Sequence, residues 1–234
     1  MTTEQITALV TGANRGLGKR FAEQLVERGA KVYAAARRPE TIDVPGVIPV
    51  QLDITDPESV ARAAEVAGDV NVLINNAGIS TGASLLTGSL DDVRLEMETH
   101  YFGTLAVTRA FAPIIEGNGG GSILNVLSVL SWAHVPAFGA YSAAKAAGWA
   151  MTDALRQELA PRSIHVAALH VGFMDTDMVA HLAVPKIDPR IVAQAALNGI
   201  EDGRHEVLAD DTSRVFKNAL SGDLSVAYPA LVTA

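Results

Sequence analysis

The sequence predicts an α/β fold: one doubly wound domain in which seven parallel strands carry helices on both faces. Three observations lead there. Short apolar, β-branched runs alternate with longer stretches rich in Ala, Leu and patterned charge, the rhythm of strands taking turns with crossover helices. Hydrophobic residues make up 49% of the 234 and charged residues 19%, enough apolar surface to cover both faces of a parallel sheet. No Pro/Ser-rich linker, abrupt charge shift or internal repeat divides the chain, so residues 1–234 read as a single domain.

The expected strands are residues 7–10, 31–35, 47–52, 72–74, 122–127, 164–169 and 206–208. Between them, helical patterns cover 16–28, 57–67, 90–115, 140–159 and 189–200, each crossover being right-handed. Gly117, Gly119, Gly120 and Gly121 form the one low-complexity patch, placed where the long 90–115 helix must stop before the fifth strand. A turn is its simplest reading.

Charge and composition exclude several function classes. A formal net charge of -8 argues against nucleic acid, which needs a basic surface to displace its counterions. With no cysteine, disulfides, thiolate metal sites and thiol catalysis are out of reach. The start lacks a basic region followed by an apolar stretch, and apolar runs such as 123–127 are far too short to span a membrane. A cytoplasmic protein without a membrane partner is expected.

The first strand runs directly into Thr11-Gly12-Ala13-Asn14-Arg15-Gly16-Leu17-Gly18, and a helical pattern follows at once. Glycines there let the backbone turn tightly against a pyrophosphate, while the helix N-terminus offers free amides and partial positive charge. A phosphate-cradling loop of the nucleoside triphosphatases does not fit, because Lys19 is followed by Arg20 rather than Ser or Thr. Further motifs follow in order. Asn75-Asn76-Ala77-Gly78 comes after the fourth strand, Ser128 ends the fifth, Tyr141-Ser142-Ala143-Ala144-Lys145 opens the next helix, and Val171-Gly172 with Thr176 follows the sixth.

In this order and spacing the chain resembles the short-chain dehydrogenase/reductase family over nearly its whole length, the region from Ala209 being the least characteristic. The resemblance implies a Rossmann-type fold and hydride exchange between a nicotinamide nucleotide and a carbonyl or secondary alcohol. It places the cofactor on Gly12, Asn14, Arg15, Gly16, Leu17 and Gly18, on Asn76, Ala77 and Gly78, on Tyr141 and Lys145, and on Gly172, Met174 and Thr176. Ser128, Tyr141 and Lys145 become the catalytic residues.

The residues support that chemistry independently. Tyr141 and Lys145 are four apart, on one helical face. A phenol with a pKa of about 10 is a poor base at neutrality, and a lysine cation beside it favours the ionised form. Ser128, at the carboxyl end of its strand, offers a hydroxyl to the substrate oxygen on which charge develops during hydride transfer. No metal is required.

Cofactor choice is read at the end of the second strand, where an acid would bond the ribose of NAD. Here Ala36 replaces the acid and Arg37 follows, a planar cation suited to a 2′-phosphate, with Arg15 nearby in the glycine loop. NADP(H) is therefore expected over NAD(H). By resemblance, Asp53 and Ile54 meet the adenine, although Asp53 also suits a capping role at the next turn.

Two positions depart from the family pattern. His100-Tyr101-Phe102-Gly103 stands where the family has N-x-x-G, so a histidine replaces the asparagine that helps hold a lysine-linked water. Its imidazole, with a pKa near 6.5, is expected to relay protons in that place. Val171 replaces a common proline. The remaining histidines show no metal-ligand spacing, and no metal is expected. The pocket rim should include Trp132, Val135, Phe138 and a lid over 174–185, which points to an apolar or aromatic substrate. By resemblance, the helix after Tyr141 and the one carrying His100 pair with a second subunit in a homodimer or homotetramer. An NADP(H)-binding regulator without turnover is the alternative, while an epimerase would need more chain after Lys145.

Overall fold

The computed structural model describes residues 6–222. Seven strands form one fully parallel sheet in the order β3-β2-β1-β4-β5-β6-β7, with β1 Thr7–Thr11, β2 Lys31–Ala36, β3 Ile48–Gln51, β4 Val72–Asn75, β5 Gly121–Val126, β6 Ile164–His170 and β7 Glu206–Leu208. Pro49 lies in β3, where an edge position tolerates its missing N–H. The order reverses between β1 and β4, which opens a crevice at their carboxyl ends.

Strand alternation sends successive side chains to opposite faces and so builds two cores. Ala8, Val10, Ile74 and Leu124 pack under α1 (Gly16–Glu27) and α6 (Pro189–Glu201), where Phe21, Leu25, Val192 and Leu197 meet them. Leu9, Leu73, Ile123 and Val166 face α2 (Pro57–Val66), α4 (Thr104–Gly117) and α5 (Gly139–Leu159) through Val60, Phe111, Ile115 and Leu155. The sheet is covered on both sides, as the apolar composition requires.

Within the second core runs a buried polar chain. Asn75 Nδ2 donates to Thr108 Oγ1 at 3.0 Å and Asn125 Oδ1 at 2.9 Å. Asn125 Nδ2 donates to Thr152 Oγ1 at 2.9 Å, whose hydroxyl donates to Gly148 O at 2.7 Å. This chain fastens β4 and β5 to α4 and α5, and breaking a link leaves a buried donor or acceptor at a cost of about 1–3 kcal/mol.

Two features differ from the sequence expectation. The continuous helix expected over 90–115 is α3 (Leu90–Met97) and α4 joined by a π-helical turn over Glu98–Gly103. Gly103 explains the tight fit here, since a Cβ would come within 2.9 Å of Ile54 Cγ1. A seventh helix, α7 (Asp211–Ala219), follows β7 where the sequence showed no functional motif. It opens on a reciprocal cap between Asp210 and Ser213.

Candidate active site

At the switch between β1 and β4, two loops are sewn together. Thr11 Oγ1 accepts the backbone N–H groups of Asn76 and Ala77, each at 2.9 Å, and Asn76 Nδ2 donates back to Thr11 O at 2.9 Å. Gly18 sits behind this seam, where a Cβ would lie 2.2 Å from Gly12 O and 2.5 Å from Asn76 Nδ2. Only a residue without a side chain lets α1 approach so closely.

Above the seam opens a cleft of about 600 Å³. Its wall contains Gly12, Asn14, Arg15, Gly16 and Leu17 from the first loop, Asn76, Ala77 and Gly78 from the second, and Met174 and Thr176 from the segment after β6. Arg37, Asp53 and Ile54 line the end nearest β2, and His100, Tyr141 and Lys145 the end nearest α5. The structure thus brings most of the sequence-derived site residues onto one surface.

This cleft suits a nucleotide by an independent criterion. Helices α2, α3, α6 and α7 are each closed at the N-terminus by an Asp or Ser side chain. Helix α1 has no side-chain cap and no acid in its first turn, a feature α4 and α5 share, and its first residues, Gly16 and Leu17, line the cleft. Its first amides are left for an anion, and the helix dipole favours one there. Arg37 and Arg38 are exposed beside it, and Arg15 reaches Asp177 across the cleft mouth at 3.8 Å, an exposed pair of little energetic weight. Asp53 accepts from Thr55 N at 3.0 Å and Thr55 Oγ1 at 2.7 Å, so it closes its own turn as well as lining the cleft.

Ser128 is buried directly after β5, its Oγ accepting from Leu130 N at 3.1 Å. Tyr141 is half-buried in the first turn of α5. Its packed surroundings push the phenol above its ordinary value, the Glu96 carboxylate adds to this, and a hydrogen bond with Ser128 opposes it. Lys145 is buried, donates from Nζ to Val126 O at 2.8 Å, and lies 5.5 Å from the Tyr141 ring centroid. Burial pulls its pKa down to about 8, with Glu96 opposing the shift.

His100 lies in the π-helical turn, buried and edge-on to Tyr141 at 5.1 Å between ring centroids. Burial, then the Lys145 charge, hold its pKa below the ordinary value. Its Nε2 sits 2.9 Å from Ile79 O and 3.2 Å from Glu96 Oε2.

Several placements were not foreseen. Gly172 lies outside the cleft wall, and its N–H donates to Asp210 Oδ2 at 2.8 Å, tying the segment after β6 to α7. Trp132, expected on the rim, is turned inward: it stacks on His170 at 3.8 Å and meets Trp149 edge-on, because burying its large ring against β6 removes more apolar surface than the rim would. Val135 and Phe138 do stay near the surface. Sequence reasoning overlooked Thr11 and Glu96. The i, i+4 spacing of Glu96 and His100 was the available signal for the second. Among the described residues no group of three His, Cys, Asp or Glu is placed to hold a metal, and no helix is long and apolar enough to cross a membrane.

The sequence family described as short chain dehydrogenase matches residues 6–185. The chain belongs to the short-chain dehydrogenase family. A solved short chain dehydrogenase from Burkholderia cenocepacia, in complex with NADP, superposes with a TM-score of 0.94 at 42% identity, covering 100% of both chains. A dehydrogenase/reductase SDR family protein 7-like from Drosophila melanogaster is 35% identical over 187 residues, 73% of this chain and 57% of the relative. A 3-ketodihydrosphingosine reductase from Bacteroides thetaiotaomicron is 34% identical over 172 residues, 72% of this chain and 64% of the relative. The chain therefore spans less than two thirds of the length of these two relatives.

Lysine burial in this dehydrogenase yields a prediction. The folded protein releases the Lys145 proton near pH 8, the unfolded chain only near 10.5, so between these values the unfolded state holds more protons and stability rises with pH. Lys145→Met removes the burial cost, offset by the lost bond to Val126 O. The variant should unfold at higher urea than the parent at pH 7, by about 1–3 kcal/mol, with the gap narrowing toward pH 10. A gap independent of pH would show that Lys145 is not a strained cation.

Proposed function

We propose that this chain is an NADP(H)-dependent reductase of ketones or aldehydes carrying apolar or aromatic groups, working as a single domain. The observation that carries the reading is a half-buried phenol and a buried lysine lining one end of a cleft, with a buried serine hydrogen-bonded to the phenol just outside the cleft wall, while the other end holds an uncapped helix N-terminus and Arg37. When bound, a nicotinamide nucleotide supplies the hydride. The chain supplies the rest.

Ser128 and Tyr141 hold the substrate oxygen, and Tyr141 delivers the proton that this oxygen needs as its carbon gains hydride. Its raised pKa keeps Tyr141 protonated at neutral pH, the form suited to donate. Lys145 must lend positive charge for the phenolate left behind, and its own lowered pKa lets it pass a proton near pH 8. His100 is assigned the resupply of that proton from solvent. The glycine loop and the amides of α1 hold the pyrophosphate, with Arg15 and Arg37 for a 2′-phosphate. Asn14, Leu17, Asp53, Ile54, Asn76 to Gly78, Met174 and Thr176 shape the remaining walls, and Gly172 supports the last of these from behind.

Substrate class is inferred from the rim. Val135, Met178 and Val184 are about two-fifths exposed, at 41%, 39% and 39%, and Phe138 faces Phe173 with ring centroids 6.5 Å apart. Of these, Met178 lines the cleft, and an apolar side chain kept in water there is best explained by an apolar ligand. The ketone reductase name of the Bacteroides relative and the NADP in the Burkholderia structure support the same direction. Ala143 and Ala150 leave the outer face of α5 flat and exposed, which suits association of two or four copies in the cytoplasm.

Two variants test the assignment. Tyr141→Phe removes a proton donor and little volume, so turnover should fall by about 10²–10⁴ while NADPH affinity persists. Unchanged turnover would overturn the chemistry. Arg37→Ala should lower the preference for NADPH over NADH by about tenfold or more, as titrations of both nucleotides would measure, because it deletes a charge-assisted contact to the 2′-phosphate. An unchanged ratio would make Arg37 a solvated surface charge.

A further inference from the structure

We propose that Glu96 is a positioning residue that holds His100 as the Nε2-protonated tautomer and so leaves Nδ1 bare, a proton acceptor on the cleft wall. The inference rests on the reductase reading above and deepens it, since nothing in that reading uses Glu96.

Glu96 is fully buried, an expensive place for a carboxylate. Its two oxygens are divided. Oε1 accepts from Thr81 N at 2.6 Å and from Thr81 Oγ1 at 3.0 Å, while Oε2 faces His100 Nε2 at 3.2 Å. Burial favours the neutral acid, but the His100 ring facing Oε2 and the hydrogen bonds from Thr81 outweigh it and hold the carboxyl below its ordinary pKa, ionised at neutral pH; Oε2 itself is left without a hydrogen bond of good geometry. Nε2 therefore has two acceptors at hand, the carboxylate and Ile79 O at 2.9 Å, and neither can donate. Ile79 N also points at Nε2, but at 3.4 Å it is the most distant of the three. Two nearer oxygens put the proton on Nε2.

Burial and the Lys145 cation keep the imidazole neutral, so a proton on Nε2 means none on Nδ1. The Nδ1–Cε1 edge lies against Gly78, where a Cβ would come within 2.6 Å of Cε1, and both residues line the cleft. Among the described residues, the polar contacts of the ring all fall on Nε2. The charged and titratable groups facing the ring are Glu96 from its own helical run and Tyr141 and Lys145 from α5; the loop from Gly78 to Thr81 contributes only backbone and a hydroxyl. A bare Nδ1 can take a proton from water in the cleft, Glu96 stabilising the imidazolium, and hand it on through water to Lys145, which restores the proton that Tyr141 has given to the substrate oxygen. An amide at position 96 cannot do this.

Glu96→Gln separates this role from a merely structural one. Its oxygen keeps both Thr81 bonds, which directs the amide NH₂ at His100 Nε2 and, against the one acceptor left there, Ile79 O, shifts the imidazole proton toward Nδ1. The experiment uses the full chain labelled with ¹⁵N-histidine, with His100→Asn to assign the signal, and reads the tautomer from long-range ¹⁵N–¹H correlations of the ligand-free protein at neutral pH. The parent should show a neutral Nε2–H tautomer, and Glu96→Gln the Nδ1–H form. In NADPH-dependent carbonyl reduction the variant should lose about tenfold or more in kcat, with KM for NADPH within about threefold, because the acceptor is lost and the cleft is not. A parent in the Nδ1–H or charged form would overturn the proposal, as would a variant with unchanged tautomer or unchanged kcat. Should the parent reduce no carbonyl compound, the reductase reading fails and the acceptor role with it, while the nuclear magnetic resonance result still decides the tautomer separately.

Discussion

The seam between the first and fourth strands is the constraint on which the site depends. A parallel sheet leaves the carboxyl ends of neighbouring strands with unpaired amides, and at the switch point the two following loops diverge to opposite faces. Here one threonine hydroxyl, Thr11 Oγ1, satisfies two of those amides, and Asn76 returns a bond to Thr11 O. Gly18 lets α1 close down on the same junction. Because both cleft walls start from it, a shift at this seam would move the anion-binding helix end relative to the phenol.

A second constraint is electrostatic. Lys145, His100 and Glu96 are all buried around Tyr141, where each ionised form costs far more than at the surface. The site keeps a carboxylate and a lysine of depressed pKa, with a neutral imidazole among them. Such a set is poor for stability and good for proton movement near neutrality, because small changes in occupancy of the cleft tip the balance. The buried Asn75–Asn125–Thr152 chain acts differently. It is neutral, and although Asn75 Oδ1 is left without a partner, it holds the strands and helices that carry the charged set.

Much of this was legible in the sequence, for physical reasons that can be named. The strands around Leu9, Leu73 and Ile123 are buried on both faces, so their apolar runs are continuous and unambiguous. The glycine loop, Tyr141 and Lys145 are local patterns whose spacing survives folding. The π-helical turn was hidden because Glu98 to Gly103 continues a helical pattern, while the close approach of Ile54 to Gly103 there comes from a segment distant in sequence. Helix α7 was missed because its exposed face dominates a short segment, and only Ser213 is buried. Trp132 was assigned to the rim by its position near Ser128, while its stacking on His170 depends on β6, which sequence proximity does not reveal.

The account as a whole rests on hydride transfer at the Tyr141 end of the cleft. The most direct measurement is to incubate the protein with NADPH deuterated at the transferable position and a panel of apolar and aromatic ketones and aldehydes, and to weigh the products by mass spectrometry. The account predicts alcohols carrying one deuterium at the former carbonyl carbon, formed by the parent and not by Tyr141→Phe. Nucleotide binding without labelled alcohol from any member of the panel would contradict it.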